Sequence, residues 1–193
     1  MHDLFAADNM ACATVGVEAV AEAGKLAPRW AHIYLFKDRE FVLWMVRKAE
    51  EMGFDAIVVT CDHAHERVRD MTMPAFEAGC DGPARADGTG QTVREIMRFP
   101  NVEAYRAARA LSGEPSDRVG QNDESLTWAD VRWLCDQTTL PVVCKGVLRA
   151  VDAQLAVQHG ARGLVVSNHG GRQMDGAVPA ITALPEVRST HVN

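Results

Sequence analysis

Hydrophobic residues along the chain follow two alternating spacings, one typical of buried strands and one of amphipathic helices. Short runs of apolar residues, several of them β-branched, suit strands within a sheet. They occur at 30–36, 55–62, 141–144 and 164–166. Apolar residues spaced three or four positions apart predict helices with one buried face. This spacing occurs at 15–23, 41–52, 128–137 and 151–157. The alternation of the two patterns predicts an α/β fold of parallel βα units.

Two segments show the pattern at its clearest and at its weakest. In 41–52 the apolar positions recur at helical spacing: Phe41, Val42, Met45, Val46 and Ala49. The stretch 70–125 has many glycines and charges and little period, so we expect a long irregular loop of low order. Within it, 99–111 is the part that suits a helix or two. Thr127 followed by Asp130 predicts a capped start for the helix after the loop.

The segment 141–175 predicts a complete strand–helix–strand unit. Lys145 follows the first strand, and His169 and Arg172 follow the second. Ligand sites of such units lie at the carboxyl ends of the strands, so we expect these side chains on one rim. A lysine can stabilise negative charge, a histidine can accept a proton near neutral pH, and an arginine can hold a carboxylate. The pattern allows an ordinary alternative about equally well, with a capping lysine, a turn histidine and a solvated arginine.

Composition narrows the function classes without choosing among them. The chain has 193 residues, 47% of them hydrophobic, and a formal net charge of −6. This size supports one domain with a substantial core, and the mild acidic balance favours neither nucleic acid nor an anionic membrane surface. No apolar run approaches the ~20 residues that span a bilayer, and no secretory signal is visible. The five cysteines are scattered, and Cys61 and Cys144 fall in the predicted buried strands, which predicts reduced thiols and an intracellular location.

One further cluster and one tyrosine have alternative interpretations. Cys61, His63 and His65 occupy alternate positions and could lie on one face of an extended segment, which suggests a metal-binding site. Short Cys/His patterns often arise by chance and no second ligand cluster lies nearby in the sequence, so we expect no metal. Tyr34, in the strand at 30–36, is by its position alone more typical of a tyrosine at the core edge.

The sequences CKGVLRAVDAQLAVQHGA (144–161) and SNHGGRQMD (167–175) resemble the FMN-dependent 2-hydroxy acid oxidase and dehydrogenase family. The resemblance implies a TIM (β/α)8 barrel with FMN at the carboxyl ends of the strands. It also implies that His169 is the catalytic base, that Arg172 binds the substrate carboxylate, and that Lys145 faces the flavin. Ser167 matches a residue near the flavin.

The resemblance continues upstream with gaps. Tyr34 matches a tyrosine that hydrogen-bonds the substrate, and His32 stands where relatives have a glutamine that contacts the flavin. In the pattern TCD, Thr60 resembles a flavin contact and Asp62 the carboxylate that orients the catalytic histidine. Arg69 falls at the position of a second substrate-binding arginine, although His63-Ala64-His65 replaces the family's Thr-Pro-Arg segment before it.

Length sets the limits of this expectation. A complete barrel takes about 250 residues, so we expect a partial barrel of four to five parallel βα units, and a truncated family member. The implied function is FMN-dependent oxidation of a 2-hydroxy acid to a 2-oxo acid. The alternative is an inactive fragment that lacks the FMN phosphate site and acts, if at all, as an assembly partner. The resemblance further implies a cytoplasmic or peroxisomal location and a homo-oligomer.

Overall fold

Four parallel strands form a single sheet in which the strand order follows the chain order. The structure is a computed structural model, and it describes residues 13–63, 99–111 and 121–189. The strands are β1 (Trp30–Ile33), β2 (Ala56–Thr60), β3 (Val142–Val147) and β4 (Gly163–Val166). Each pairs in parallel with the next. All four carboxyl ends therefore meet at one edge of the sheet.

Six helices and one short turn accompany the strands in the described part of the chain. They are α1 (Val17–Ala23), α2 (Arg39–Glu51), α3 (Pro100–Leu111), α4 (Trp128–Asp136), α5 (Ala150–Gln158), the turn His169–Gly171 and α6 (Ala180–Arg188). The alternation confirms the predicted α/β class. No helix in these ranges is both long and apolar enough to cross a lipid bilayer.

The main core lies between the sheet and its helices, and α2 contributes most clearly to it. The five apolar residues predicted to share one face of α2 are all 0% exposed: Phe41, Val42, Met45, Val46 and Ala49. Complete burial of side chains such as Phe41 or Met45 contributes about 1.5–3 kcal/mol each relative to exposure. Asp38 caps this helix, because its Oδ1 accepts a hydrogen bond from the Phe41 amide at 3.0 Å. The core and the cap together fix α2 against β1 and β2.

The opposite face of the sheet carries a smaller cluster. Ala56, Val58 and Val143 are buried there, with Trp30 and Val165 packed against them. Side chains alternate between faces along a strand, so neighbours such as Ile57 and Cys144 belong to the helix-side core. This alternation places one set of side chains on the helix side of the sheet and the other set on the opposite face.

Several predicted boundaries were wrong in detail. The strand at 30–36 ends at Ile33, and Phe36 instead pairs with Asn122 in an isolated antiparallel bridge. Lys145 lies inside β3 rather than after it. Every residue of β4 is half-buried, so this strand is not the buried one that its composition predicts. Cys61 follows the end of β2 and is exposed, whereas Cys144 is buried.

The predicted loop at 70–125 contains helix α3 in its described part. Tyr105 of α3 packs against Phe41, with ring centroids 5.0 Å apart, and against Trp44 at 5.7 Å. Asn101 accepts a hydrogen bond from the Val17 amide at 3.1 Å. These contacts attach α3 to α1 and α2, and they give order to this part of the predicted loop.

Candidate active site

A cluster of polar side chains occupies the carboxyl edge of the sheet. Thr60 ends β2, with Asp62 two residues later, and Lys145 pairs in register with Thr60 from β3. Ser167 and His169 follow β4 directly. Because the strands are parallel neighbours, residues from three of them meet here although more than a hundred positions separate Asp62 from His169 in the chain.

The centre of this edge is a triangle of Asp62, Lys145 and His169. The Asp62 Oδ1 atom lies 2.8 Å from His169 Nδ1 and 3.6 Å from Lys145 Nζ. Lys145 Nζ lies 3.4 Å from His169 Nδ1. The Asp62 and His169 side chains are only 11% and 10% exposed, which strengthens the interaction of the carboxylate with its partners. A carboxylate accepts hydrogen bonds, so Nδ1 carries the shared proton and Nε2 is left as the basic nitrogen.

A turn with left-handed backbone conformation positions His169 next to Asp62 and Lys145. His169 has φ 59°, an uncommon conformation for a residue with a side chain, and Gly170 and Gly171 continue it at 66° and 72°. Ser167 Oγ accepts a hydrogen bond from the His169 amide at 3.0 Å, and Asn168 Oδ1 accepts one from the Gly171 amide at 3.2 Å. Such strain persists where the surroundings hold the residue in place, and it is concentrated at functional sites.

Arg172 lies at the end of the same turn. Its Nε donates a hydrogen bond to the His169 carbonyl oxygen at 3.1 Å, and the residue as a whole is exposed. The backbone contact ties the guanidinium group to the turn that carries His169. A cation held there can bind an anionic group next to the imidazole.

Aromatic rings extend the cluster toward β1. The ring of Tyr34 stacks on His32 with centroids 5.7 Å apart and meets the edge of His63 at 5.2 Å. His63 in turn lies 5.7 Å from the His169 ring. His32 Nε2 lies 2.5 Å from Thr60 Oγ1. Tyr34 is therefore connected to His169 through His63, a residue that the sequence suggested only as a metal ligand.

The predicted site residues are thus largely brought together. Asp62, Lys145 and His169 form the central triangle, and Ser167 supports the turn. His32, Thr60 and Tyr34 lie beside it. Arg69 and His65 lie outside the described residues. Within those residues no group of three His, Cys, Asp or Glu side chains could hold a metal ion.

Two cavities open beside the cluster. One of about 510 Å³ lies between the ends of β2 and β3 and the segment 123–131. The other, of about 700 Å³, lies between the end of β3 and the loop 173–178. Cys61, Gly146 and Asp152 line both. Among the described residues, the buried Asp62 Oδ2 atom has no hydrogen-bond partner, as in a site where an additional donor is expected.

Comparison with known proteins shows which family the chain belongs to. The family model described as FMN-dependent dehydrogenase matches residues 7–192. The chain belongs to this family. The resemblance inferred from residues 144–161 and 167–175 is thereby confirmed.

Individual similar proteins show how much of a relative's length this chain spans. Human 2-hydroxyacid oxidase 1 is 38% identical over 187 residues, which cover 91% of this chain and 45% of that protein. A Pediococcus acidilactici protein described as a lactate oxidase has a TM-score of 0.75 at 24% identity, covering 96% of this chain and 45% of its own. A mandelate oxidase variant with a C4a-OH-FMN adduct has a TM-score of 0.65 at 33% identity, covering 93% and 44%. The chain spans a little under half the length of these relatives, and its fold corresponds to part of theirs.

The donor set at the sheet edge fits a flavin ring. His32, Thr60 and Lys145 come from three adjacent strands, with Thr60 and Lys145 in register. The His32–Thr60 pair and the Lys145 ammonium group, on adjacent strands, offer hydrogen-bond donors for the oxygen and nitrogen acceptors of such a ring. The cationic Lys145 suits a group that gains negative charge on reduction.

Proposed function

We propose that this chain carries the catalytic edge of an FMN-dependent oxidoreductase that converts a 2-hydroxy acid to a 2-oxo acid. The observation that carries this proposal is the contact between Asp62 and His169, with Lys145 beside them. Membership of the FMN-dependent dehydrogenase family supports it. The names of the relatives, which include a 2-hydroxyacid oxidase, support the substrate class.

His169 acts as the base in this proposal. Its Nδ1 atom is hydrogen-bonded to Asp62 Oδ1, so Nε2 accepts the proton of the substrate hydroxyl. The Asp62 carboxylate holds the tautomer in place and stabilises the imidazolium that forms. Both side chains are nearly buried, so solvent screens the charge on Asp62 less than it would at the surface.

The surrounding residues bind and orient the reactants. Arg172, held to the His169 carbonyl through Nε, binds the substrate carboxylate, and Arg69 is proposed from the resemblance as its second cation. Tyr34 contributes its hydroxyl to the substrate. Lys145, Thr60, His32 and Ser167 are proposed to contact the cofactor. FMN, when bound, would supply the acceptor for a hydride equivalent, the hydrogen of the substrate C2 carbon together with the two electrons of its bond.

An alternative is a polypeptide that folds as part of a barrel but binds neither flavin nor substrate, and acts as an assembly partner. The chain spans only 45% of the length of human 2-hydroxyacid oxidase 1, and this short span is the reason to test the alternative. The contact between Asp62 and His169, with Lys145 beside it, supports the enzymatic proposal instead. A homo-oligomeric state and an intracellular location remain predictions.

FMN binding and flavin reduction distinguish the two functions. The purified chain is titrated with FMN, with quenching of flavin fluorescence as the readout, and is then mixed anaerobically with glycolate, lactate or mandelate. We expect binding and loss of the visible flavin absorbance with at least one acid. Absence of FMN binding by the folded chain would support the alternative. Binding without reduction by any of a wide panel of 2-hydroxy acids would contradict the proposed reaction.

A matched histidine pair tests the residue assignment in the same assay. His169→Gln removes the proposed base, whereas His159→Gln changes a histidine whose Nδ1 lies 2.8 Å from the Leu155 carbonyl oxygen at the end of α5. General base catalysis contributes roughly 10²–10⁴-fold, so the first variant should reduce the flavin at least about a hundredfold more slowly. The second should behave like the unaltered chain. Equal rates in the two variants would exclude His169 as the base.

A further inference from the structure

Gly146 interrupts the regular pairing of β3 at the point where the site begins. Residues Val143 to Lys145 pair one by one with Gly163 to Val165 of β4. The next pair is Val147 with Val166, so Gly146 is an extra residue on the β3 side. It has φ +108°, a backbone conformation that glycine adopts readily and other residues rarely do. The irregularity is therefore a bulge built on a glycine.

The bulge changes which face the following side chain occupies. Cys144 points into the helix-side core and is 0% exposed, and Val147 packs into the same core at 2%. In an uninterrupted strand, residues three apart point to opposite faces. The extra residue lets Lys145 project toward Asp62 while Val147 returns to the core. The glycine thus serves both the site and the packing beneath it.

The absence of a side chain at this position also creates the space for Asp62. A Cβ atom built on Gly146 would overlap the Cβ and Cγ atoms of Asp62 and would lie 2.7 Å from its Oδ1. Real Cβ atoms essentially never approach heavy atoms so closely. Oδ1 is the atom that contacts His169 Nδ1 at 2.8 Å. A side chain at position 146 therefore requires a shift of Asp62 or of the bulge itself.

We propose that Gly146 is a positioning residue for the reaction proposed above: its bulge seats the Asp62 carboxylate against His169 and aims Lys145 at the same carboxylate. In this proposal Gly146 acts through Asp62, whose side-chain atoms occupy the space where a Cβ would lie. This inference rests on the proposed function for its catalytic meaning, but the seating of Asp62 is a property of the protein without substrate.

The first test is independent of turnover. The proton on His169 Nδ1, hydrogen-bonded to a nearly buried carboxylate, should give a downfield proton NMR resonance in the unaltered chain. Gly146→Ala and Asp62→Gly should each abolish it. Gly16→Ala is the matched control, because Gly16 has φ −64° and a Cβ there would meet its nearest atom at 3.5 Å. Retention of the resonance in Gly146→Ala would overturn the inference even if the proposed function stands.

The second test is a double-variant cycle on flavin reduction. At saturating FMN, Gly146→Ala should slow the reduction by at least about tenfold, since a misplaced base loses part of the roughly 10²–10⁴-fold contribution of general base catalysis. In the Asp62→Gly background the same substitution should cost less than about twofold, because the atoms it would meet are gone. An equal loss in both backgrounds would show that Gly146 does not act through Asp62.

Folding of the variants distinguishes overlap with Asp62 from backbone strain at position 146. If Gly146→Ala prevents folding, the double variant Gly146→Ala/Asp62→Gly should restore it, because the overlap with Asp62 is removed. Failure of the double variant to fold would assign the cost to the backbone conformation alone and would overturn the inference. A chain that shows the NMR pattern but does not reduce flavin would contradict the proposed function and leave the role of Gly146 in seating Asp62 intact.

Discussion

Arg39 joins the turn after β1 to the segment that leads into α4, and its removal has a calculable cost. Its Nη2 lies 2.8 Å from both Asp123 Oδ2 and Asp130 Oδ1. Its Nη1 donates a hydrogen bond to the Phe36 carbonyl oxygen at 2.6 Å, and its guanidinium carbon lies 5.5 Å from the Trp133 ring centroid. The side chain is 29% exposed. One cation therefore connects four groups beside the 510 Å³ cavity.

The magnitude follows from these contacts. A partly exposed ion pair contributes about 0.2–1 kcal/mol, a neutral-acceptor hydrogen bond about 0.5–1.5 kcal/mol and a cation–π contact about 0.5–1 kcal/mol. We expect Arg39→Ala to lower the free energy of unfolding by about 2–3 kcal/mol, because it also leaves two neighbouring carboxylates without a cation. For a chain of this length that corresponds to a fall in Tm of about 5–10 °C.

The pH dependence gives this prediction its sign. The hydrogen bond from Ser125, together with Arg39, lowers the pKa of Asp123 below its ordinary value of 3.8. Burial opposes ionisation of Asp130, but hydrogen bonds from Thr127 and the charge of Arg39 outweigh it and lower that pKa as well. A carboxyl group with a lowered pKa stabilises the fold above its ordinary pKa, and this stability is lost as the pH falls through the lowered value. The cost of Arg39→Ala should therefore be full at pH 7 and shrink below about pH 4.

Urea unfolding followed by circular dichroism measures the effect, with Arg47→Ala as the control on the same helix. Arg47 is 55% exposed and pairs within α2, with Glu50 at 2.8 Å, so its removal should cost less than about 0.5 kcal/mol. The reasoning is refuted if the two variants lose equal stability at pH 7. It is also refuted if the loss in Arg39→Ala is the same at about pH 3 as at about pH 7.

Three further outcomes test the core and the titrating groups. Ile57 is 0% exposed, so Ile57→Val should lower the free energy of unfolding, measured in urea, by about 0.5–1.5 kcal/mol. An unchanged free energy would contradict the core position of Ile57. Iodoacetamide with peptide mass mapping should label exposed Cys61 in the folded chain before buried Cys144, since the hydrogen bond with Cys61 and burial raise the pKa of the Cys144 thiol. The reverse order would argue against the assigned burial. Burial and the nearby Asp38 charge raise the pKa of Tyr105 to about 12, so ultraviolet titration should show a late tyrosine that Tyr105→Phe removes.

The helices were predictable because their pattern is local. The spacing of Phe41, Val42 and Met45 is enough to orient α2, and Thr127 hydrogen-bonds Asp130 as the capping pattern predicts, with its amide 2.8 Å from Oδ2. The end of β1 was not predictable, because it depends on a distant partner: β2 pairs only with Trp30 to Ile33 of that segment. The apolar residues that follow leave the sheet, and Phe36 pairs with Asn122 instead.

The sequence predicted the residues of the site and their common rim, but not the contacts among them. The resemblance supplied Asp62, Lys145 and His169, and parallel pairing explains why they meet. It could not supply a role for His63, whose ring lies between those of Tyr34 and His169. Nor does the hydrophobic pattern reveal the bulge at Gly146, since an extra residue in a strand appears only when the partner strand is known.

The rate of anaerobic flavin reduction by a 2-hydroxy acid, compared between the unaltered chain and Asp62→Asn, tests the central claim most directly. This substitution keeps the shape of the side chain but removes the charge that holds and stabilises the His169 imidazole. We predict that both proteins bind FMN equally and that Asp62→Asn reduces it at least about tenfold more slowly. Equal rates in the two proteins, at equal FMN occupancy, would contradict the account.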